Sequence, residues 1–205
     1  QPFIAFPLWA VLQGAAACIF PLSTGSQDFS RHHPSDSPGK GGNKSRPSDG
    51  LPPPGSPASA HGKILRIEPD GRAPDDNPLA GTAGALTQVW SLGHRNVQGL
   101  ALRPGTGELW ASEHGPQGGD ELNLIQPGMN YGWPVITHGC EYVTCAKIGV
   151  GTARAGMEQP IAYWSEAIAP TGMTFLTSDR YPGWKGDLFI GMLQGRALMR
   201  IKVEG

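Results

Sequence analysis

No stretch of ten or more residues in this chain carries a convincing helical period. Short runs of alternating apolar residues are instead punctuated by glycine, proline, asparagine and aspartate. That pattern confines the chain to an all-β fold. Lys63-Ile64-Leu65-Arg66-Ile67 alternates and then closes on Glu68-Pro69-Asp70-Gly71, a turn in which proline presets φ and glycine permits a positive one. Residues 88–92 read as another short strand. Residues 99–103 lead through Pro104-Gly105-Thr106-Gly107 into residues 108–112, the signature of a β-hairpin.

A weaker copy of the same arrangement returns in residues 172–176, 186–191 and 196–201, about seventy residues downstream. Two copies of glycine, strand, turn and strand fit the blades of a β-propeller with a long loop inserted between them. At roughly forty to fifty residues per blade, residues 61–205 supply about three blades. The expected architecture is therefore part of a propeller, with open blade edges that a closed ring would lack.

Thirty glycines and twenty prolines make up about a quarter of the 205 residues, and they are unevenly spread. Residues 21–60 hold no convincing apolar period, and residues 34–60 are rich in Pro, Ser and Gly, including Pro52-Pro53-Pro54. Such a composition buries too little apolar surface to order itself. Residues 3–20 are largely apolar and end near Ala15-Ala16-Ala17-Cys18, which superficially resembles a signal-peptide core. No initiator Met or basic segment precedes them, and Pro7 and Gly14 interrupt them. The run is too short and broken for a transmembrane helix. The expectation is two regions: residues 1–60 as a low-complexity segment, disordered or translated out of frame and joined at about Ala60, and residues 61–205 as the partial propeller. A natural disordered linker is the alternative for the first.

A net charge of −1 gives no electrostatic footprint for nucleic acid or an acidic membrane surface. No GxGxxG follows a strand, which sets aside a nicotinamide-dependent dehydrogenase. Of the three cysteines, Cys140 and Cys145 flank a four-residue spacer that could close a small disulfide loop in an oxidising compartment; two free thiols are the other reading. No second Cys/His pair stands at zinc-ligand spacing.

The densest chemistry lies in three blocks spanning about forty residues: Gly93-His94-Arg95-Asn96-Val97-Gln98-Gly99-Leu100, then Glu113-His114-Gly115-Pro116-Gln117-Gly118-Gly119-Asp120-Glu121, then Asn130-Tyr131-Gly132-Trp133-Pro134. They gather a cation, amides, carboxylates and exposed backbone where a core would alternate apolar residues. Such a run suits an anionic, oxygen-rich ligand together with a metal. In order and spacing these blocks resemble the soluble PQQ-dependent aldose sugar dehydrogenases, the glucose/sorbosone dehydrogenase family of six-bladed β-propellers. Further matching stretches are His61-Gly62-Lys63-Ile64-Leu65-Arg66-Ile67, Asp75-Asp76-Asn77-Pro78, Gly156-Met157-Glu158-Gln159-Pro160 and Ile168-Ala169-Pro170-Thr171-Gly172-Met173.

The resemblance implies a quinoprotein oxidoreductase that oxidises the C1 hydroxyl of an aldose sugar to a lactone. It implies PQQ and calcium as cofactors, an external electron acceptor, and a periplasmic or secreted location. Arg95 and Asn96 match the pair that contacts the quinone oxygens of PQQ, with Arg95 stabilising the charge that develops there. The backbone carbonyls of Gly115 and Pro116 match ligands of the calcium that anchors PQQ, since hard Ca²⁺ takes oxygen donors. Glu121 and the carbonyl of Tyr131 match a second, structural calcium site. Taken singly, a lone Arg most often pairs with a surface carboxylate, Gly-Pro is most often a turn, and a lone Glu is most often solvated; the surrounding motifs favour function.

Trp133 and Trp164 read as packing residues, and His94 and His114 as supporting hydrogen-bonders rather than bases. The family's general base does not fall in the matched region, and His32, His33 and His61 do not match its motif. Where some relatives place a cofactor-binding Lys, this chain has Gln194 or Arg196, and the late Arg pair that clamps a cofactor carboxylate has no match up to Gly205. The expectation is a chain inactive by itself. The reading from a different functional class is a non-catalytic, calcium-stabilised propeller that serves as a binding platform.

Overall fold

The computed structural model describes residues 11–12, 15–16, 18–22 and 56–204. The expectation of a disordered or out-of-frame segment over residues 1–60 falls largely outside the described residues. Within them the chain is all-β. Its strands are β1 (Val11–Leu12), β2 (Ala15–Ala16), β3 (Cys18–Leu22), β4 (Lys63–Ile67), β5 (Val89–Leu92) and β6 (Val97–Leu102). They continue with β7 (Leu109–Glu113), β8 (Asp120–Ile125), β9 (Ala162–Trp164), β10 (Pro170–Phe175), β11 (Leu188–Met192) and β12 (Ala197–Ile201). No helix among the described residues is long and apolar enough to cross a membrane.

Beyond the small β1–β2 pair, the strands form three successive antiparallel sheets: β3-β4-β5, β6-β7-β8-β9 and β10-β11-β12. These are the blades of a partial β-propeller. Consecutive strands pair with their sequence neighbours, β6 and β7 through a short Gly-containing turn in which the Arg103 N–H donates to the Glu108 carbonyl.

The middle sheet explains the stacking. Successive side chains on a strand point to opposite faces, so β6 to β8 offer one apolar set to each neighbouring blade. Leu100, Leu109, Ala111 and Ile125 pack with Ile64 of the first blade, whereas Ala101, Trp110 and Leu122 pack with Met173, Phe175, Leu188 and Ile190 of the third. β7 is therefore buried along its whole length. Gly99 lets the second and third blades approach, since a side chain there would meet Ser112 Oγ, the Thr171 carbonyl and Met173. Burying both faces of a sheet is what a propeller blade requires, and the middle sheet does so.

Between β8 and β9 runs a long inserted loop, residues 126–161. Its first part is tied to the end of β5: the Leu92 N–H donates to the Met129 carbonyl, the Tyr131 N–H to the Leu92 carbonyl and the Trp133 N–H to the Gly93 carbonyl. Gly93 sits at φ 79° with the backbone of residues 131–132 pressed against it, leaving no room for a Cβ. This contact carries Tyr131 and Trp133 to the place where β5 turns into β6.

Candidate functional site

The face of β7 and β8 that meets the first blade is apolar at one end and turns polar at the other. Leu109, Ala111 and Ile125 give way to Glu113, Asn123 and Glu121 on the same face, because β7 and β8 pair Ala111 with Asn123 and Glu113 with Glu121. Two carboxylates thus stand directly opposite on adjacent strands, a destabilising arrangement unless something compensates. Asn123, fully buried, supplies part of the compensation: its amide Nδ2 donates to Glu113 Oε1 at 3.1 Å and to Glu121 Oε2 at 3.2 Å. Its carbonyl Oδ1 is buried without a hydrogen-bond partner.

The two carboxylates differ in environment. Burial would raise Glu113, but hydrogen bonding and charge from His94, with the backbone N–H groups of Arg95 and Asn96, outweigh it and hold the carboxyl below its usual range. The Arg95 N–H donates to Glu113 Oε2 at 2.8 Å. Glu121 has weaker support and is pushed up to about 8, first by burial and then by the charge of Glu113. His94 links Glu113 to the first blade: Nδ1 lies 3.2 Å from Glu113 Oε1, Nε2 lies 2.8 Å from Ser91 Oγ, and its ring stacks on Tyr131 at 4.7 Å.

Glu113 and Glu121 open onto a small cavity of about 10 Å³, the room taken by one water-sized particle. Arg95, His114, Gly115, Tyr131, Trp133 and Thr137 are among the residues lining it. Arg95 is held at several points: Nη1 donates to the His114 carbonyl at 3.0 Å, Nη2 to the Tyr142 hydroxyl at 3.1 Å, and the guanidinium lies 5.3 Å from the Trp133 ring centre.

The loop between β7 and β8 is held just as tightly. The buried Asp120 carboxylate accepts from the N–H groups of Gly115, Ile168 and Ala169, each at 2.8 Å, tying this loop to the segment entering β10. Ala169, at φ 50°, keeps that unfavourable backbone conformation with one of those bonds.

Of the site residues expected from the sequence, Arg95, Gly115, Glu121 and Tyr131 come together around the cavity. Asn96 and Pro116 lie beside it. Asn96 accepts from Gln98 Nε2 at 2.8 Å and its carbonyl accepts the His114 N–H, while Pro116 packs where a Gly139 side chain would stand. The Tyr131 hydroxyl faces away, donating to the Leu124 carbonyl at 2.6 Å and accepting from the Gln126 N–H at 2.8 Å; burial pushes this phenol up to about 12.

His114 lies 2.7 Å through Nε2 from the Pro170 carbonyl. His138 stacks on Tyr163 at 3.9 Å, and burial pushes its imidazole pKa down. Cys140 and Cys145 form a disulfide. The sequence reading assigned nothing to Glu113, Asn123 or Tyr142. What brings the first two together is the register of β7 on β8, which local sequence does not spell out.

Among the described residues, no group of three or more His, Cys, Asp or Glu side chains is placed to share a metal ion. A cation here would need backbone carbonyls beside the carboxylates, the donor set hard Ca²⁺ accepts.

A family model for glucose/sorbosone dehydrogenase matches residues 42–205. The chain belongs to the glucose/sorbosone dehydrogenase family. It is 45% identical over 148 residues to the aldose sugar dehydrogenase YliI of Escherichia coli, covering 70% of this chain and 39% of that protein. The crystal structure of the soluble aldose sugar dehydrogenase from Escherichia coli in its apo form superposes with a TM-score of 0.76 at 36% identity, over 95% of this chain and 50% of that one. The PQQ-bound form of an aldose sugar dehydrogenase from Streptomyces coelicolor superposes with a TM-score of 0.53 at 38% identity, over 72% of this chain and 36% of that one. The chain spans half or less of the length of these family members.

Proposed function

We propose that this chain carries one wall of the cofactor and metal site of a quinoprotein that oxidises the C1 hydroxyl of an aldose sugar to a lactone. Electrons would pass to an external acceptor, in a periplasmic or secreted setting that suits the Cys140–Cys145 disulfide. The observation that carries this reading is the convergence of the Arg95 guanidinium, the Gly115 backbone and the opposed Glu113 and Glu121 carboxylates on one cavity, in a member of this family.

The residues fit the groups they would hold. Two carboxylates face each other across a strand pair, one of them pushed up to about 8, and a buried amide oxygen beside them lacks a partner. A divalent cation would relieve both, with Glu121 and the Tyr131 carbonyl as its ligands. The Gly115 and Pro116 carbonyls would hold the cofactor's calcium. When bound, PQQ supplies a two-electron hydride acceptor and calcium the charge that polarises it.

The chain's own groups would orient and stabilise. Arg95 would offer a permanently charged planar donor to an oxygen gaining negative charge, pre-aimed by its bonds to His114 and Tyr142. Asn96 would add a neutral donor beside it. Glu113, bonded to the backbone of Arg95, would fix the loop from which Arg95 projects. Neither buried His94, engaged with Ser91 and Glu113, nor His114, engaged with Pro170, is poised to take a sugar proton. The general base is therefore expected from outside the described residues, and this chain alone is expected to be inactive.

Calorimetric titration of PQQ into the full chain, with and without Ca²⁺, tests the reading. Calcium-dependent binding that is lost in Arg95→Ala is the expected result. A folded chain that binds no PQQ at any calcium concentration overturns it, in favour of a non-catalytic propeller platform.

A further inference from the structure

The Cys140–Cys145 disulfide closes a ring of six residues in the middle of the long β8–β9 loop. Little apolar burial holds this ring in place. Val143, at its tip, is 96% exposed, and it is a β-branched residue at φ 71°, an unfavourable conformation; Cys145 follows at φ 49°. Such backbone persists only where surrounding bonds over-determine it. Some of those bonds are internal, such as that from the Cys145 N–H to the Glu141 carbonyl at 3.0 Å, and three tie the ring to a single residue of another loop. The Gln117 N–H donates to the Cys140 carbonyl at 3.0 Å, the Cys140 N–H returns to the Gln117 carbonyl at 3.2 Å, and the Val143 N–H donates to Gln117 Oε1 at 3.0 Å. Gln117 directly follows Gly115-Pro116, so the ring is docked on the β7–β8 loop.

From this ring Tyr142 reaches Arg95, with its hydroxyl accepting from Nη2 at 3.1 Å. The contact comes from a segment 47 residues away in sequence, so the β8–β9 loop takes part in orienting a guanidinium that projects from the turn between β5 and β6. The His114 carbonyl at Nη1 and the Trp133 ring act on the same group from two other segments, and a planar fork held at several points is aimed in one direction.

We propose that Tyr142 is a positioning residue for Arg95, and that the Cys140–Cys145 disulfide holds Tyr142 in place. The geometric part stands on the contacts above; the identity of the ligand rests on the PQQ reading. The clamp predicts that loss of the Tyr142 hydroxyl loosens Arg95 without unfolding anything, because Tyr142 is 41% exposed and its ring would remain.

The test uses the full chain in three forms: wild type, Tyr142→Phe, and the double variant Cys140→Ser/Cys145→Ser. Two readouts are needed. The first is the rate of phenylglyoxal modification of Arg95, mapped by peptide mass spectrometry with Arg103 as internal reference. The second is PQQ affinity in the presence of Ca²⁺. Expected are a several-fold faster modification of Arg95 in both variants, an unchanged rate at Arg103, an unchanged melting temperature for Tyr142→Phe, and PQQ affinity weakened by about tenfold, the loss of one hydrogen bond to a charged group. An Arg95 modification rate in Tyr142→Phe equal to that of wild type overturns the clamp, whatever PQQ does. Faster modification of Arg95 in a wild-type-like fold that binds no PQQ upholds the clamp and overturns the cofactor reading instead. Should the double variant fail to fold, Tyr142→Phe decides alone, since its disulfide is intact.

Discussion

Glu113 and Glu121 face each other across β7 and β8, yet only one of them is well served by its surroundings. Glu113 gains from His94 and from backbone N–H groups, so it contributes stability that is present above its ordinary value near 4.5 and lost as pH falls through its depressed one. Glu121 works the other way. Its folded-state value, about 8, lies above the ordinary 4.5, so its contribution is fully present below pH 4.5 and is lost as pH rises through about 8. In the presence of a chelator, urea denaturation should therefore show stability declining across that window. Saturating Ca²⁺ should flatten the decline, and Glu121→Gln should abolish both the decline and the calcium response. A metal-free protein whose stability is level from pH 4.5 to 8 would contradict this account. Glu121 was legible in the sequence as part of a motif, whereas Glu113 was not. It sits beside His114 like any polar residue at a strand end, and only the pairing register gives it a partner and a role. Tyr142 was illegible for a similar reason: nothing local in the sequence says that a six-residue disulfide ring will be docked on Gln117.

At the scale of elements, strands with a run of alternating apolar residues were legible even where they also bury a polar group, as β4 buries Lys63 and β7 Glu113. β4 is found as read, and β5, β6, β7, β10, β11 and β12 lie within a few residues of the alternating runs that announce them. β8 was not legible as a strand. Its Asp120, Glu121 and Asn123 break the expected alternation, yet Asp120 and Asn123 are buried because hydrogen bonds rather than apolar contacts satisfy them. β9 is three residues long, too short to show a period. The blade-to-blade contact makes a separate prediction. Gly99 on β6 touches Ser112, Thr171 and Met173, so Gly99→Ala must push the second and third blades apart, at a cost of about 1–3 kcal/mol typical of overpacking. Gly172 on β10 has open space around it and an ordinary φ, so Gly172→Ala should change stability by less than about 0.5 kcal/mol. Denaturant midpoints of the two variants check this. Equal, small effects would mean that the blades are not in close contact at Gly99.

At the scale of the whole molecule, the third blade uses only one of its faces. Met173, Phe175, Leu188 and Ile190 pack toward the second blade, while Leu198 on β12 and Leu193 in the turn before it are 67% and 65% exposed. Tyr181 and Trp184, stacked on each other at 5.3 Å, add further exposed apolar surface, with Trp184 also against Phe189. Among the described residues β12 pairs only with β11, so its other side presents an unpaired edge. The second blade is packed on both faces, and the chain spans only about half of the solved family member it superposes on. In a propeller each blade buries both faces against its neighbours, so this apolar face and edge have the character of an inter-blade surface rather than of an outer wall. The isolated chain should therefore self-associate through it. Sedimentation velocity over a hundredfold concentration range should show mass rising with concentration for the wild type. In Leu193→Lys/Leu198→Lys, two charges on the edge and face should restore a monomer, as lysines do on natural edge strands, while the Arg95 site, on the opposite side of the second blade, keeps its calcium response. A wild type that remains monomeric throughout would show that this surface is already adequately covered within the chain.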